Sequence, residues 1–129
     1  MQEKFQIKNL GVIITDSKTT PLRWGVTGTA IAYSGFKPLN DLIGTPDLFG
    51  RELKMTKVNI LDGLAAAAVL VMGEGIEQTP LAIIEDTSFV QYSDENPSDE
   101  ELASLKISID DDIYAPLLTK VDWQKGEKT

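Results

Sequence analysis

The sequence predicts an α+β fold of short mixed strands, one buried alanine-rich helix and one or two smaller helices. Two short β-branched apolar runs, residues 10–15 and 80–85, read as buried strands, and residues 60–72 carry one strongly marked helix. Strands and helices do not alternate regularly, which argues against a doubly wound parallel sheet.

The first run ends at Asp16, and residues 16–28 are so dense in Asp, Ser, Thr, Gly and Pro that they read as a polar loop leaving a strand buried on both faces. A weaker strand is expected over residues 29–33 and another over residues 52–56. Asn59 is the candidate N-cap of the helix, Asp62 lies in its first turn and Gly73 follows its end. Ala65, Ala66, Ala67 and Ala68 leave it apolar on almost every face, so burial is expected. Residues 73–79 form a turn, and the second apolar run ends in Glu85.

Ser98 and Glu101 have the spacing of a capping box ahead of a short helix to about Lys106. Ile107, Ile109 and Ile113 suggest a last half-buried strand, broken by Pro116. The 129 residues suit a single domain that buries roughly two thirds of the surface its unfolded chain exposes. Residues 1–9 and 124–129 are expected to fray.

Composition narrows the chemistry. Twenty acidic residues against twelve basic ones give a formal charge of −8, and no basic patch interrupts it, which argues against a nucleic-acid partner. No apolar stretch approaches the roughly 20 residues that span a bilayer, and Met1 opens a polar run rather than an export signal; the cytoplasm is the expected location. Cysteine and histidine are absent, which removes thiolate and imidazole chemistry and leaves carboxylate and hydroxyl oxygens. Such ligands favour magnesium or manganese.

The segment with most chemical content runs from Ile13 to Gly25. Asp16 and the hydroxyl of Ser17 offer oxygens at a strand end, Thr19 and Thr20 follow, and Arg23 can pair with phosphate or carboxylate. The same residues also suit local turns and a structural ion pair, so composition leaves both readings open. Trp24 is a candidate base-stacking residue, although core packing is the commoner use of a tryptophan. Asp62 at a helix start, Glu85 with Asp86, and the Asp110, Asp111, Asp112 run each have a bland alternative: dipole complement, solvated turn and solvated charge run.

The order Ile13, Ile14, Thr15, Asp16, Ser17, then Pro21, Leu22, Arg23 and Gly25, then Ala30, Ile31, Ala32 and Gly35, resembles the second half of the factor-420 γ-glutamyl ligases. The resemblance continues through Pro38, Leu39, Asp41, Gly44, Asp47, Phe49, Gly50 and Glu52, into the alanine-rich helix and Val71, Met72 and Gly73. Tyr114 to Leu118 and Trp123 look like a natural end. What the resemblance implies is an amide ligase that uses GTP, or ATP, and a divalent ion: an acceptor carboxylate is phosphorylated, and the amine of L-glutamate displaces the phosphate.

By the same resemblance Asp16 and Ser17 are metal-binding positions, and Thr19, Thr20, Arg23 and Gly25 belong to phosphate binding; no catalytic residue is assigned. Lys18, Thr19 and Thr20 stand where the family has an aromatic residue, a glycine and an arginine, and Val26 and Gly28 replace a glutamine and an aspartate. This form is similar to a bacterial subgroup assigned to folate metabolism and implies a different small-molecule acceptor. The resemblance further implies a missing N-terminal half and a homodimer. The alternative is a non-catalytic structural or dimerisation module that keeps the ligase scaffold.

Overall fold

The computed structural model describes residues 2–122 and 124–126. Trp123 and residues 127–129, part of the expected natural end and frayed tail, lie outside the described residues. The architecture is α+β. Contacts gather into two compact units, one reaching Ser98 and one starting at Asp99.

The first unit opens with a short helix, α1 (Gln2–Phe5), followed by strands β1 (Val12–Thr20) and β2 (Arg23–Ser34), which pair antiparallel as a long hairpin. The expected loop over residues 16–28 is therefore paired strand, apart from the turn at Pro21 and Leu22. Thr15, Thr19, Thr20, Val26, Thr27 and Thr29 explain why: β-branched side chains suit a pleated surface, and their partners across the hairpin satisfy the backbone. Leu22 sits at φ 59, the left-handed conformation the turn imposes. The expected 29–33 strand is the second half of β2, and the register slips once there, with Ile31 bulged out between Ala30 and Ala32.

β1 is not buried on both faces. Ile13, Thr15 and Ser17 are half-buried while Val12, Ile14 and Asp16 are exposed, the alternation of a strand covered on one side. A second small sheet joins β3 (Leu39–Asp41) to β4 (Lys57–Asn59) antiparallel. Residues 52–56, expected as a strand, contribute only a single bridge from Glu52 to Pro46, because the loop there is folded on itself around Asp47.

Helix α2 (Ile60–Met72) has the predicted bounds. Asn59 accepts the Asp62 N–H at 2.9 Å and donates its side-chain amide to Asp62 at 2.8 Å, a reciprocal cap built from two side chains. Burial is narrower than predicted. Leu61, Ala65 and Val69 are buried against the hairpin, whereas Leu70 and Val71 are 83% and 70% exposed, because within the unit the helix is packed on one side only.

Two contacts set the helix on the hairpin. Gly28 lies directly under α2, where a Cβ would meet the Ala65 carbonyl oxygen and stand 2.8 Å from Val69. Asp62 accepts from the Ala30 N–H at 2.9 Å and the Thr29 hydroxyl at 3.0 Å, tying the first turn of α2 to β2. Burial opposes ionisation of Asp62, yet the Ala30 N–H, the Thr29 hydroxyl, the Lys18 charge and the Asn59 amide outweigh it and hold the carboxyl below its ordinary value.

The apolar run at residues 80–85 has no regular secondary structure and belongs to no ladder, and Leu81 and Ile83 are each 87% exposed. With β1 and α2 it borders an apolar cavity of about 670 Å³. The residues there have strand propensity, but a strand also needs a paired edge, and none is made. Further on, Gly35 and Phe36 pair with residues 91–93, which closes the unit: Lys37 donates to Gln91 and Ser93 to Gly35.

The second unit holds α3 (Asp99–Ser104) and α4 (Ala115–Thr119). The helix after Ser98 is present but ends before Lys106. Residues 107–113 form turns rather than the expected strand, because Ser108 and the acidic run bond locally: Asp111 accepts from the Ser108 hydroxyl at 2.8 Å, and Asp112 accepts from the Tyr114 N–H at 2.8 Å. Pro116 does not end an element; it sits in the first turn of α4, where its missing N–H costs nothing. Among the described residues, no helix is long and apolar enough to cross a membrane.

Two measurements test this packing. Gly28→Ala should destabilise the chain by about 1–3 kcal/mol in urea denaturation, since the added methyl must displace helix backbone. Asp62→Asn should cost about 1–2 kcal/mol at neutral pH through weakened charge-assisted bonds. Because the folded carboxyl is held below 3.8, its contribution is complete above that pH and is lost as the pH falls through the lower folded value. The gap between wild type and Asp62→Asn should therefore narrow when the urea denaturation is repeated at successively lower pH below 3.8.

Candidate functional site

Ser17 is fixed by pairing opposite Gly28, and its half-buried side points toward the C-terminal end of α2. Its hydroxyl donates to Glu74 at 3.4 Å across 57 residues of sequence. Asp16, the preceding residue, accepts the Ser17 N–H at 2.8 Å through its own carboxylate. Asp16, Ser17, Glu74 and Glu77 line one open cavity of about 440 Å³, closed on its apolar side by Val69 and Met72. Two oxygen types thus meet where a strand edge faces the end of a helix.

Asp16 and Ser17, the sequence-predicted metal pair, are brought together and given a facing cavity. Thr19, Thr20, Arg23 and Gly25 are not part of it. They lie at the far end of the hairpin, where Thr20 pairs with Arg23 across the turn and all four are exposed. Thr20 lies three residues along the strand from Ser17, about 10 Å at the usual rise. Gly25 has a backbone reason of its own: it stands at φ 100 in the irregularity between the Thr19 and Thr20 pairings. Trp24 is fully exposed beside Arg23, so it is not a core residue of this unit.

Glu74 escaped the sequence reading, which took residues 73–79 as a plain turn. Its only local signal is a carboxylate flanked by Gly73 and Gly75; nothing short of the fold shows that it meets Ser17. Asp62 was correctly placed in the first turn of α2, but its bonds to Thr29 and Ala30 make it a latch between helix and hairpin. Glu85 lines the apolar cavity, Asp86 is exposed, and of the acidic run Asp110 and Asp111 are exposed in a turn while Asp112 is half-buried. Among the described residues, no group of three or more His, Cys, Asp or Glu side chains is placed to hold a metal ion by itself.

A family model described as F420-0:gamma-glutamyl ligase matches residues 1–86. The chain belongs to that family. Among curated ligases of the family, the Coenzyme F420:L-glutamate ligase of Methanococcus maripaludis (strain C7) is 54% identical over 82 residues, 64% of this chain and 33% of the relative. The enzyme of the same name from Methanocaldococcus jannaschii is 52% identical over 82 residues, again 64% and 33%. That of Methanopyrus kandleri is 53% identical over 75 residues, 58% of this chain and 30% of the relative. The chain therefore spans about a third of the length of the ligases it matches. The family match contains the hairpin, α2 and the Glu74 loop.

Proposed function

We propose that this chain supplies part of the metal and nucleotide-phosphate site of a γ-glutamyl ligase, which joins L-glutamate to a small carboxylate acceptor through an acyl phosphate with GTP, or ATP, as donor. The observation that carries the reading is the meeting of Ser17 with Glu74 beside Asp16. Two carboxylates and a hydroxyl fit a magnesium or manganese ion, which commonly takes one or two protein carboxylates and completes its shell with water and substrate phosphates. Family membership and the names of the relatives support the reaction class.

In this reading Asp16, Ser17 and Glu74 hold the ion. A divalent ion held there would supply positive charge that neutralises the phosphoryl group being transferred. The protein's own work is placement: β1 fixes Asp16 and Ser17 by register, and the end of α2 delivers Glu74 opposite them. Thr19, Thr20, Arg23 and Gly25, further along the same strands, extend the contact surface toward phosphate or acceptor carboxylate. Arg23 carries the guanidinium for such a bidentate contact. Lys18, Thr19, Thr20 and Val26, exposed on the hairpin where the family resemblance expects other residues, are the positions that would set a different acceptor, as in the bacterial folate-metabolism subgroup, whereas Gly28 is covered by α2.

A second reading rests on the exposed apolar flank of α2 at Leu70 and Val71: a dimer-forming scaffold without catalysis. Titration calorimetry with manganese and GTP separates the two. Asp16→Ala and Glu74→Ala should each weaken metal-dependent GTP binding by roughly tenfold or more, while Leu70→Gln leaves it unchanged. Equal binding by wild type and Asp16→Ala removes the ligase-site assignment, and a stable dimer blind to nucleotide in light scattering establishes the scaffold.

A further inference from the structure

We infer that Glu77 is a positioning residue that holds the loop after α2 in the shape that presents Glu74 to Ser17. The inference rests on the proposed role of Glu74 for its functional meaning, but its geometry stands separately.

α2 stops at Gly73, which takes φ 81 and returns its N–H to the Val69 carbonyl at 3.0 Å. The chain then runs Glu74, Gly75, Ile76, Glu77, Gln78 and Thr79 before the apolar run that starts at Pro80. Two bonds shape this excursion. At its base, the Thr79 hydroxyl donates to the Met72 carbonyl at 2.6 Å, capping a free acceptor at the helix end. Inside it, the Glu77 carboxylate accepts the Gly75 N–H at 2.7 Å.

Glu74 stands between two glycines, the residues with most backbone freedom to lose. Without an internal brace such a segment samples many conformations, and the 3.4 Å approach of Glu74 to Ser17 is one of them. The Glu77 carboxylate supplies the brace, and it occupies the space a side chain at Gly73 would take: a Cβ there would stand 2.6 Å from Glu77 Oε2. Gly73 is thus required both by its φ and by the carboxylate folded against it. Glu77 acts as a hydrogen-bond acceptor, and its charge is incidental to that role.

That distinction makes the inference testable, because glutamine keeps an acceptor oxygen at the same reach and loses the charge. The variants are Glu77→Ala and Glu77→Gln in the full chain, with amide exchange at Gly75 followed by NMR and manganese with GTP followed by calorimetry; α2 amides report whether the fold is kept. Glu77→Ala should speed Gly75 exchange by about tenfold or more and weaken manganese-dependent GTP binding, and Glu77→Gln should restore both to within about threefold of wild type. Unchanged Gly75 exchange in Glu77→Ala overturns the inference. So does a Glu77→Gln variant with restored exchange but binding as weak as Glu77→Ala, since Glu77 would then act through its charge as a ligand. If the wild-type chain binds no manganese and GTP, the proposed function fails; Gly75 exchange and the Ser17 to Glu74 proximity, read from nuclear Overhauser contacts, still decide the role of Glu77.

Discussion

The close approach of α2 to the β1–β2 hairpin is the constraint on which the first unit depends. A strand crossing beneath a helix normally keeps a side chain's width between backbones; here Gly28 has none, and Ala65 above it has only a methyl. Removing both spacers lets Val69 reach the hairpin and brings the C-terminal end of α2 down to the level of Ser17, which pairs with Gly28 across the ladder. The Asp62 latch holds the opposite end of the helix on Thr29 and Ala30. Helix rotation and height are thereby both fixed, and the Glu74 loop inherits them. The small core, with Phe36, Leu61, Ala65 and Val69 buried, supports this one packing.

How much of this was legible in the sequence depended on whether the deciding interaction was local. α2 was readable to the residue because its start and stop signals are local: Asn59 and Asp62 cap each other, and Gly73 is the residue that a positive φ at the C-terminus needs. The two outer ends of the hairpin read as strand, but residues 16–28 read as loop because Asp16, Ser17 and Gly28 are turn formers locally, while the pairing that makes them strand joins positions up to 22 residues apart, as in Val12 with Ser34. The opposite error occurred at residues 80–85. Leu81, Ile83 and Ile84 have every local property of a strand, but a strand also needs a partner edge, and propensity does not provide one.

The candidate site divides the same way. Asp16 and Ser17 are adjacent in sequence, and their pairing was visible as soon as an oxygen-rich segment was sought. Glu74 has no such neighbour: it meets Ser17 only because α2 returns the chain to the hairpin. Thr19, Thr20, Arg23 and Gly25 illustrate the converse, since closeness in sequence to Asp16 suggested one cluster, whereas a fully extended strand carries residues apart faster than any other conformation.

The resulting arrangement joins elements of unequal stiffness. Asp16 and Ser17 sit on a paired strand whose register cannot slip without moving every side chain to the other face, so their oxygens are set by the whole ladder. Glu74 sits on a loop between two glycines, set by the side-chain brace from Glu77 and the Thr79 cap. The proposed function, which would have the site accept and release a phosphate-bearing ligand, benefits from one rigid wall and one that can give way. Rigidity holds the reacting group in place, and a loop held by a few exposed hydrogen bonds opens at far lower free energy than a strand in a ladder. The exposed position of the loop at the end of α2 is therefore consistent with a movable half of the site, while the buried stripe of the same helix keeps the base from which it moves in a fixed place.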